Sequence, residues 1–342
     1  MNRKLTAIDL YSGAGGATQG LKDAGVQVLA AIEVDPIAAR SYRLNHPEVL
    51  LRRRDIRSCS ATGLRRSLGL ARGELAVLQA CPPCPSWSTL GKKFAGDERP
   101  ELILQVRRFI KAFLPKAFIL ENVPGLARDG RLGSLLADAE ARGYATRSYL
   151  VDAADAGVPQ RRKRLIAIGV RGLPSELLPD DLLGSLPASF DRSPRTVQDA
   201  FADLVGSHDP LHRGRAHRDA VLKRIRAIPF GGDRFDLPGH LRLACHDDVG
   251  RSAGAAYGRM RLDEPAPTLT TRCTTPSCGR FVHPIEDRGI TLREAALLQT
   301  FPRDYMFTGT YGSMEQQIGN AIPVRLAQAV GTAASSLIQG AT

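Results

Sequence analysis

Leu5-Thr6-Ala7-Ile8-Asp9-Leu10-Tyr11-Ser12-Gly13-Ala14-Gly15-Gly16 is the stretch that decides the fold. Its first six residues have the texture of a buried strand, and the glycines that follow at once end it. Residues 17–24 then carry helical spacing, and 26–32 read as a second strand closing on Glu33-Val34-Asp35. Strand, Gly-rich turn, helix, strand and acid, in that order, is the pattern of a nucleotide-type cofactor site in an open α/β sheet. Glycines let the backbone approach the ligand, helix N-terminal amides face its anionic end, and the acid accepts ribose hydroxyls. For this unit taken alone, a tight turn without a ligand remains the alternative.

The rhythm continues along the chain. Residues 51–56 form a third strand end, where Arg52-Arg53-Arg54 reads as a solvated face and Asp55 could meet an adenine amino group. A fourth strand covers 74–80. A helix over 100–113 follows, with Leu102, Val106, Phe109, Ile110 and Phe113 on one side. The fifth strand, 117–120, closes on Glu121-Asn122-Val123-Pro124; a helix over 132–142 and strands over 145–151 and 164–170 complete a doubly wound, Rossmann-like sheet. From about Leu173 prolines punctuate the chain, and a basic run over 212–226 marks a smaller domain with a phosphate-facing surface. Thr291 caps a helix over 291–299, and Gly319-Asn320-Ala321-Ile322-Pro323 introduces a last apolar helix. The expected division is a catalytic domain over 1–190, completed by a C-terminal helix over 315–342, and a smaller domain with a hinge over 191–314.

Lys plus Arg exceed Asp plus Glu by 47 to 35 in 342 residues, a net charge of +12 that leans towards a polyanionic partner, nucleic acid first. The bland alternative is an Arg-rich proteome. Six irregularly spaced cysteines make no disulfide framework, and neither a signal-peptide core nor a membrane-length apolar run is visible, so a cytoplasmic protein off the membrane is expected.

Chemistry centres on Ala80-Cys81-Pro82-Pro83-Cys84-Pro85-Ser86-Trp87-Ser88. The prolines force the chain out of the sheet as a stiff loop, placing Cys84 at the carboxyl end of a strand, where such sheets do chemistry. Cys84 is the candidate nucleophile. Cys81-x-x-Cys84 also has redox or zinc spacing, with Cys273 and Cys278 as a second half, but no His pair supports it and no metal is expected. A NAD-type Rossmann enzyme would need a last glycine that Gly13-Ala14-Gly15-Gly16-Ala17-Thr18 lacks.

Taken in order, the Asp9 to Gly16 stretch, Glu33-Val34-Asp35, Asp55-Ile56, Pro82-Pro83-Cys84, Glu121-Asn122-Val123, Gln160-Arg161-Arg162-Lys163-Arg164, the segment 291–302 and Gly319-Asn320-Ala321-Ile322-Pro323 resemble the C5-cytosine DNA methyltransferase family, bacterial type, from residue 5 to about 330. The resemblance implies S-adenosylmethionine as cofactor, without metal, and a cytosine flipped out of double-stranded DNA as substrate. It implies Cys84 as nucleophile on C6, Glu121 as proton donor at N3, and Arg164 with Arg162 at O2. Matching positions give Tyr11, Ser12, Gly13, Ala14, Gly15, Gly16, Glu33, Val34, Asp55, Ile56, Pro83, Leu102 and Asn320 to the cofactor. Ser86, Ser88, Gln160, Arg213, Arg215, Lys223 and Arg272 go to DNA. A monomer is expected, and a cognate restriction endonuclease acting on the same sequence stays open as a partner. Pro85, Trp87 and Cys81 depart from the residues common in the family. A tRNA cytosine methylase of the same family is the runner-up, although its usual Cys-Phe-Thr element is missing; a catalytically dead DNA-binding regulator sits badly with intact Cys84 and Glu121.

Overall fold

The computed structural model describes residues 4–83, 101–202, 204, 207–244 and 255–341. It divides into two compact units, Met1–Ala156 with Lys163–Arg192 and Ile322–Thr342, and Gly157–Arg162 with Ser193–Ala321.

The first unit holds a seven-stranded sheet. In chain order it contains β1 (Thr6–Leu10), α1 (Gly16–Asp23), β2 (Gln27–Glu33), α2 (Pro36–Asn45), β3 (Leu50–Arg53), α3 (Ala61–Ser67), β4 (Val77–Ala80), α4 (Leu102–Phe113), β5 (Ala117–Asn122), α5 (Gly130–Glu140), β6 (Tyr144–Asp152) and β7 (Lys163–Arg171). The sheet order is β3-β2-β1-β4-β5-β7-β6; the pairs from β3 to β5 are parallel, and β7 runs antiparallel to both β5 and β6. The order reverses between β1 and β4, which makes the carboxyl ends of those strands the crevice where ligands bind in such sheets.

Strand alternation sorts the side chains. Ile8, Leu10, Leu78, Ala80, Phe118 and Leu120 pack with Phe109 and Phe113 of α4 and Leu132 and Leu135 of α5 in the main core. Burying each of these phenylalanines contributes on the order of 2–3 kcal/mol. On the opposite face α1 packs against the terminal helix of the chain (Val324–Gly340), where a Cβ at Gly20 would collide with the Val324 carbonyl and Ala327. Arg52, Arg53 and Arg54 stand exposed at the edge strand, where charge discourages pairing with another sheet.

Four described helices are not among the sequence expectations: α2, α3, and in the second unit Val197–Phe201 and Asp219–Ala227. The first had a signal: Asp35 caps it, accepting from Ile37 and Ala38 N at 2.6 and 3.0 Å, and Pro36 supplies the first turn. The single helix expected over 315–342 is two, Tyr311–Asn320 and Val324–Gly340, because Ala321 turns extended and Pro323 cannot continue a helix. By length and composition 311–340 could cross a membrane, but its most apolar window is mostly buried, as in the core helix of a folded protein. The segments 157–162 and 315–321 cluster with the second unit.

Among the described residues the second unit carries little regular structure. Ile225, Ile228, Leu237, Ala256, Tyr257 and Val282 form a small core, and buried arginines do much of what a sheet ladder would do. Arg259, 4% exposed, donates to the carbonyls of Ile225, Ile228, His283 and Glu286 at 3.0–3.3 Å and to Asp287 at 2.9 Å. Arg280 donates to the carbonyls of Gly231, Gly232 and Arg259 at 2.6–3.0 Å. Five donors in a rigid fork suit arginine to this task, since a buried carbonyl left without a partner costs about 1–3 kcal/mol.

Candidate active site

Register builds a polar row across the first unit's sheet. Asp9 pairs with Gln79, and Gln79 with Ile119; two residues further on, Cys81 and Glu121 point to that same face. Cys81 still belongs to the ladder, its amide donating to Leu10 O at 3.2 Å. Glu121 is 8% exposed and its Oε1 lies 2.8 Å from Arg164 Nε, which reaches it from the antiparallel β7. A charge pair this deeply placed holds its geometry, because neither partner can relax into water.

Cys81 and Asp9 lie beside that pair. Gln79 Nε2 donates to Cys81 Sγ at 3.3 Å, and burial, then the Glu121 and Asp9 charges, push the thiol well above its ordinary range. Cys81 is therefore a protonated thiol at neutral pH and a poor nucleophile. Asp9 is fully buried; burial pushes its carboxyl up to about 7 despite the Thr18 hydroxyl donating to Oδ2 at 2.8 Å. Tyr42 OH lies 2.8 Å from the same hydroxyl, and Asp9 Oδ1 has no hydrogen-bond partner among the described residues. Sequence reading gave Asp9, Thr18 and Tyr42 no role; the signal was a carboxylate inside an apolar strand.

The chain leaves β4 through Pro82 and Pro83. Asn122, next to Glu121, anchors that exit: its Nδ2 donates to Pro82 O at 3.1 Å while its Oδ1 accepts from Val123 N at 2.7 Å. Pro83 is exposed. Cys84, Ser86 and Ser88, with Pro85 and Trp87, lie outside the described residues.

The expected cofactor residues of the first unit gather along the carboxyl ends of β1, β2 and β3. Gly13 (φ 55°) and Gly15 (φ 104°) adopt left-handed backbone conformations, and Gly15 begins α1 with no side-chain cap on the helix amides. Ser12, Ala14 and Gly16 are buried within this turn. Tyr11 also has a positive φ, 62°, a cost of about 1–3 kcal/mol for a bulky residue, held by its hydroxyl donating to Leu102 O at 2.6 Å. Glu33 accepts from Gly13 N (2.8 Å) through one oxygen and from Asp35 N (2.7 Å) through the other; burial raises its pKa and these amides oppose the rise. Beside it Val34 is 62% exposed. Asp55 is engaged by Arg57, backbone at 2.8 Å and guanidinium at 2.7 Å, which lowers its pKa, and Ile56 is buried. Asn320 belongs to the second unit, exposed at the end of Tyr311–Asn320.

Two of the expected site residues, Gln160 and Arg162, lie buried among backbone partners. Gln160, expected on DNA, is fully buried: its amide nitrogen donates to Leu298 O and Gln299 Oε1 at 3.2 and 2.9 Å and its oxygen accepts from Leu269 N at 3.0 Å. Arg162, expected beside Arg164, is 3% exposed and donates to Leu269 O at 2.7 Å and Gly319 O at 3.0 Å, all within the second unit. Both side chains spend their hydrogen bonds on backbone groups that packing has removed from water. Arg213, Arg215, Lys223 and Arg272 are exposed, Arg215 lying 5.3 Å from the Tyr311 ring centroid. Among the described residues no three His, Cys, Asp or Glu side chains converge to hold a metal ion.

Comparison with known proteins gives the family. The family model described as C-5 cytosine-specific DNA methylase matches residues 5–336. The type II methylase M.HgiDII of Herpetosiphon aurantiacus is 33% identical, over 97% of this chain and 96% of that protein. The type II methyltransferase M1.HphI of Haemophilus parahaemolyticus is also 33% identical, over 96% and 86%. In fold, the chain is similar to a solved structure of a candidate DNA modification methyltransferase encoded within an E. coli prophage, with a TM-score of 0.77, 24% identity, and 98% and 100% of the two chains covered. The match along nearly the whole length, with the seven-stranded sheet and the carboxylates at its strand ends, makes this chain a member of the C-5 cytosine-specific DNA methylase family, a DNA cytosine-5-methyltransferase.

Proposed function

We propose that the protein methylates C5 of a cytosine flipped out of duplex DNA, using S-adenosylmethionine as donor and a covalent bond from Cys84 Sγ to C6. The observation that carries this reading is the pair formed by Glu121 and Arg164. It lies at the carboxyl end of β5, and Asn122 beside it holds the strand exit that leads through Pro82 and Pro83 to Cys84.

The chemistry assigns each group a task. C5 of cytosine is a weak nucleophile, and addition of the Cys84 thiolate to C6 turns it into an enamine carbon. Charge then develops on N3 and O2. Glu121 relays to N3 a proton taken from solvent as the base binds, and Arg164 keeps Glu121 in place and offers a cation to O2. Loss of the C5 proton to water and departure of Cys84 as the thiolate restore the aromatic ring. None of these approaches is open inside a stacked duplex, so the base must leave the helix at a cost of a few kcal/mol.

The residues present fit the cofactor. The space above Gly13 is open, the amides that begin α1 have no side-chain cap to compete with a carboxylate, and the Glu33 carboxylate retains acceptor capacity for two ribose hydroxyls. Val34 offers apolar surface to an adenine, and Ile56, buried beside Asp55, is proposed to line the same end of the site. When bound, S-adenosylmethionine supplies an electrophilic methyl group. Ser12, Ala14, Gly15, Gly16, Tyr11, Leu102 and Pro83 complete the first unit's set of cofactor residues.

The second unit, with exposed Arg213, Arg215, Lys223 and Arg272, is the part that chooses the target sequence. The type II names of the relatives support a restriction-modification setting, and we propose with it a cognate endonuclease and a cytoplasmic, monomeric methyltransferase. Incubation with methyl-labelled S-adenosylmethionine and either duplex DNA or tRNA tests the reading. Label is expected in 5-methylcytosine of DNA and absent with Glu121→Gln; label in tRNA alone would overturn the substrate.

A further inference from the structure

Phe230 is the most exposed of the large apolar side chains in the described residues, at 76%, and Phe235, five residues on, is 56% exposed. Neither stands on a slack loop. Gly232 N donates to Pro229 O at 3.0 Å and Gly231 has φ 69°, the marks of a type II turn with Phe230 at its first corner. Gly231 is required there, because a side chain at the second corner would be strained. Hydrogen bonds hold the turn from behind: the half-buried Arg280 donates to the carbonyls of Gly231 and Gly232 at 2.6 and 2.9 Å, and the Arg259 backbone N to Gly232 O at 3.0 Å. The Arg259 guanidinium carbon lies 5.9 Å from the Phe230 ring centroid, and Arg234 is 4.6 Å from that of Phe235.

A monomer gains nothing by ordering a turn whose tip is an exposed phenylalanine, and the surroundings say what meets it. The segment 212–244 carries eight Lys and Arg against three Asp, with Lys223, Arg226 and Arg242 exposed. A rigid aromatic tip inside a positive field suits a polyanion that also presents flat π-faces. Aromatic and apolar side chains meet bases in this way by wedging between steps or stacking on an unpaired face.

We infer that the turn over 229–232 is a base-stacking finger, with Phe230 entering the base stack of duplex DNA and Phe235 bracing it from the side. The inference rests on the reading that the second unit meets DNA. It adds a contact that neither the charge pattern nor the motif order points to, and it assigns Phe230 to the recognition or opening of the duplex and not to phosphate binding.

The test uses the full-length protein and a duplex whose methylated sequence has first been found by bisulfite sequencing. Phe230→Ala should weaken binding of that duplex by about tenfold or more, leave the slope of log Kd against log salt unchanged, and leave the thermal melt unchanged. Phe230→Trp should restore affinity, and its added indole emission should be quenched on saturation with DNA. Wild-type affinity in Phe230→Ala, or unquenched indole emission at saturation, would overturn the inference while leaving the DNA reading standing. A reduced salt slope would make the position a phosphate contact. Loss of a concentration-dependent dimer, with DNA binding intact, would assign Phe230 to self-association; both results contradict the finger. A wild-type protein that neither binds nor methylates duplex DNA would remove the underlying reading, and the finger with it.

Discussion

Arg164 Nε and Glu121 Oε1 face each other at 2.8 Å across the antiparallel junction of β5 and β7, each side chain close to nine-tenths buried. Reversal of β7 creates this contact. Among the central strands all other neighbours are parallel, and only an inserted antiparallel strand delivers its first residues to the carboxyl end of β5. Arg164→Ala should therefore destabilise the fold by about 3 kcal/mol, the usual consequence of stranding one buried charge. Arg164→Lys should recover most stability but little kcat, because a point charge does not reproduce the guanidinium geometry. Urea titration and steady-state methylation measure the two effects separately; equal recovery of both would make the arginine purely structural.

Glu33 is the second anchor. Its carboxylate already orders Gly13 and Asp35, so the mutation tests a preformed acceptor. Glu33→Ala should weaken S-adenosylmethionine binding by about 1.5–3 kcal/mol, the range for hydrogen bonds to a charged group. Calorimetric titration gives the number directly, and an unchanged Kd would place the cofactor elsewhere.

Asp9 supplies a pH signature. Burial raises its pKa in the folded protein to about 7, whereas in the unfolded chain an aspartate titrates near 4. The folded state then binds more protons between those values, so this group's stabilisation is complete below about pH 4 and lost as the pH rises through about 7. Asp9→Asn should flatten the fall in stability between about pH 4 and 7. Denaturant midpoints across that window decide it, and a variant as pH-dependent as the wild type would contradict the assignment.

Much of this was legible in the chain. The turn at Gly13 to Gly16, the acids Glu33 and Glu121 at strand ends, and the prolines after Cys81 are local features, and local features survive folding. What the sequence did not disclose is non-local. The direction of β7 depends on pairing with β5, about forty residues earlier. Gln160 and Arg162 sit in a basic stretch that reads as a surface, yet their partners are carbonyls more than a hundred residues away. An arginine's charge is visible in a sequence, but whether it faces a phosphate or a carbonyl is decided by packing. Asp35 before Pro36 was a readable helix start that the pull of the neighbouring Glu33 obscured.

Lys223 tests the division of labour. It is exposed within a basic segment, in contrast with Arg224, which donates to Leu241 O at 2.9 Å. Lys223→Ala should weaken binding to cognate and random duplexes alike and reduce the salt slope by about 1. A variant that changes the sequence methylated, with the slope intact, would make Lys223 a base reader.

The most direct measurement concerns the thiol. Cys81 is held protonated beside Glu121 and Gln79, which leaves Cys84, beyond the stiff Pro82-Pro83 exit, as the candidate nucleophile. Duplex DNA with 5-fluorocytosine at the target traps the adduct, since fluorine cannot depart as the C5 proton does. With S-adenosylmethionine present, the wild-type protein and Cys81→Ala should each form a complex that survives denaturation, and Cys84→Ser should form none. A denaturation-resistant complex with Cys84→Ser would give the covalent step to another residue and contradict the mechanism.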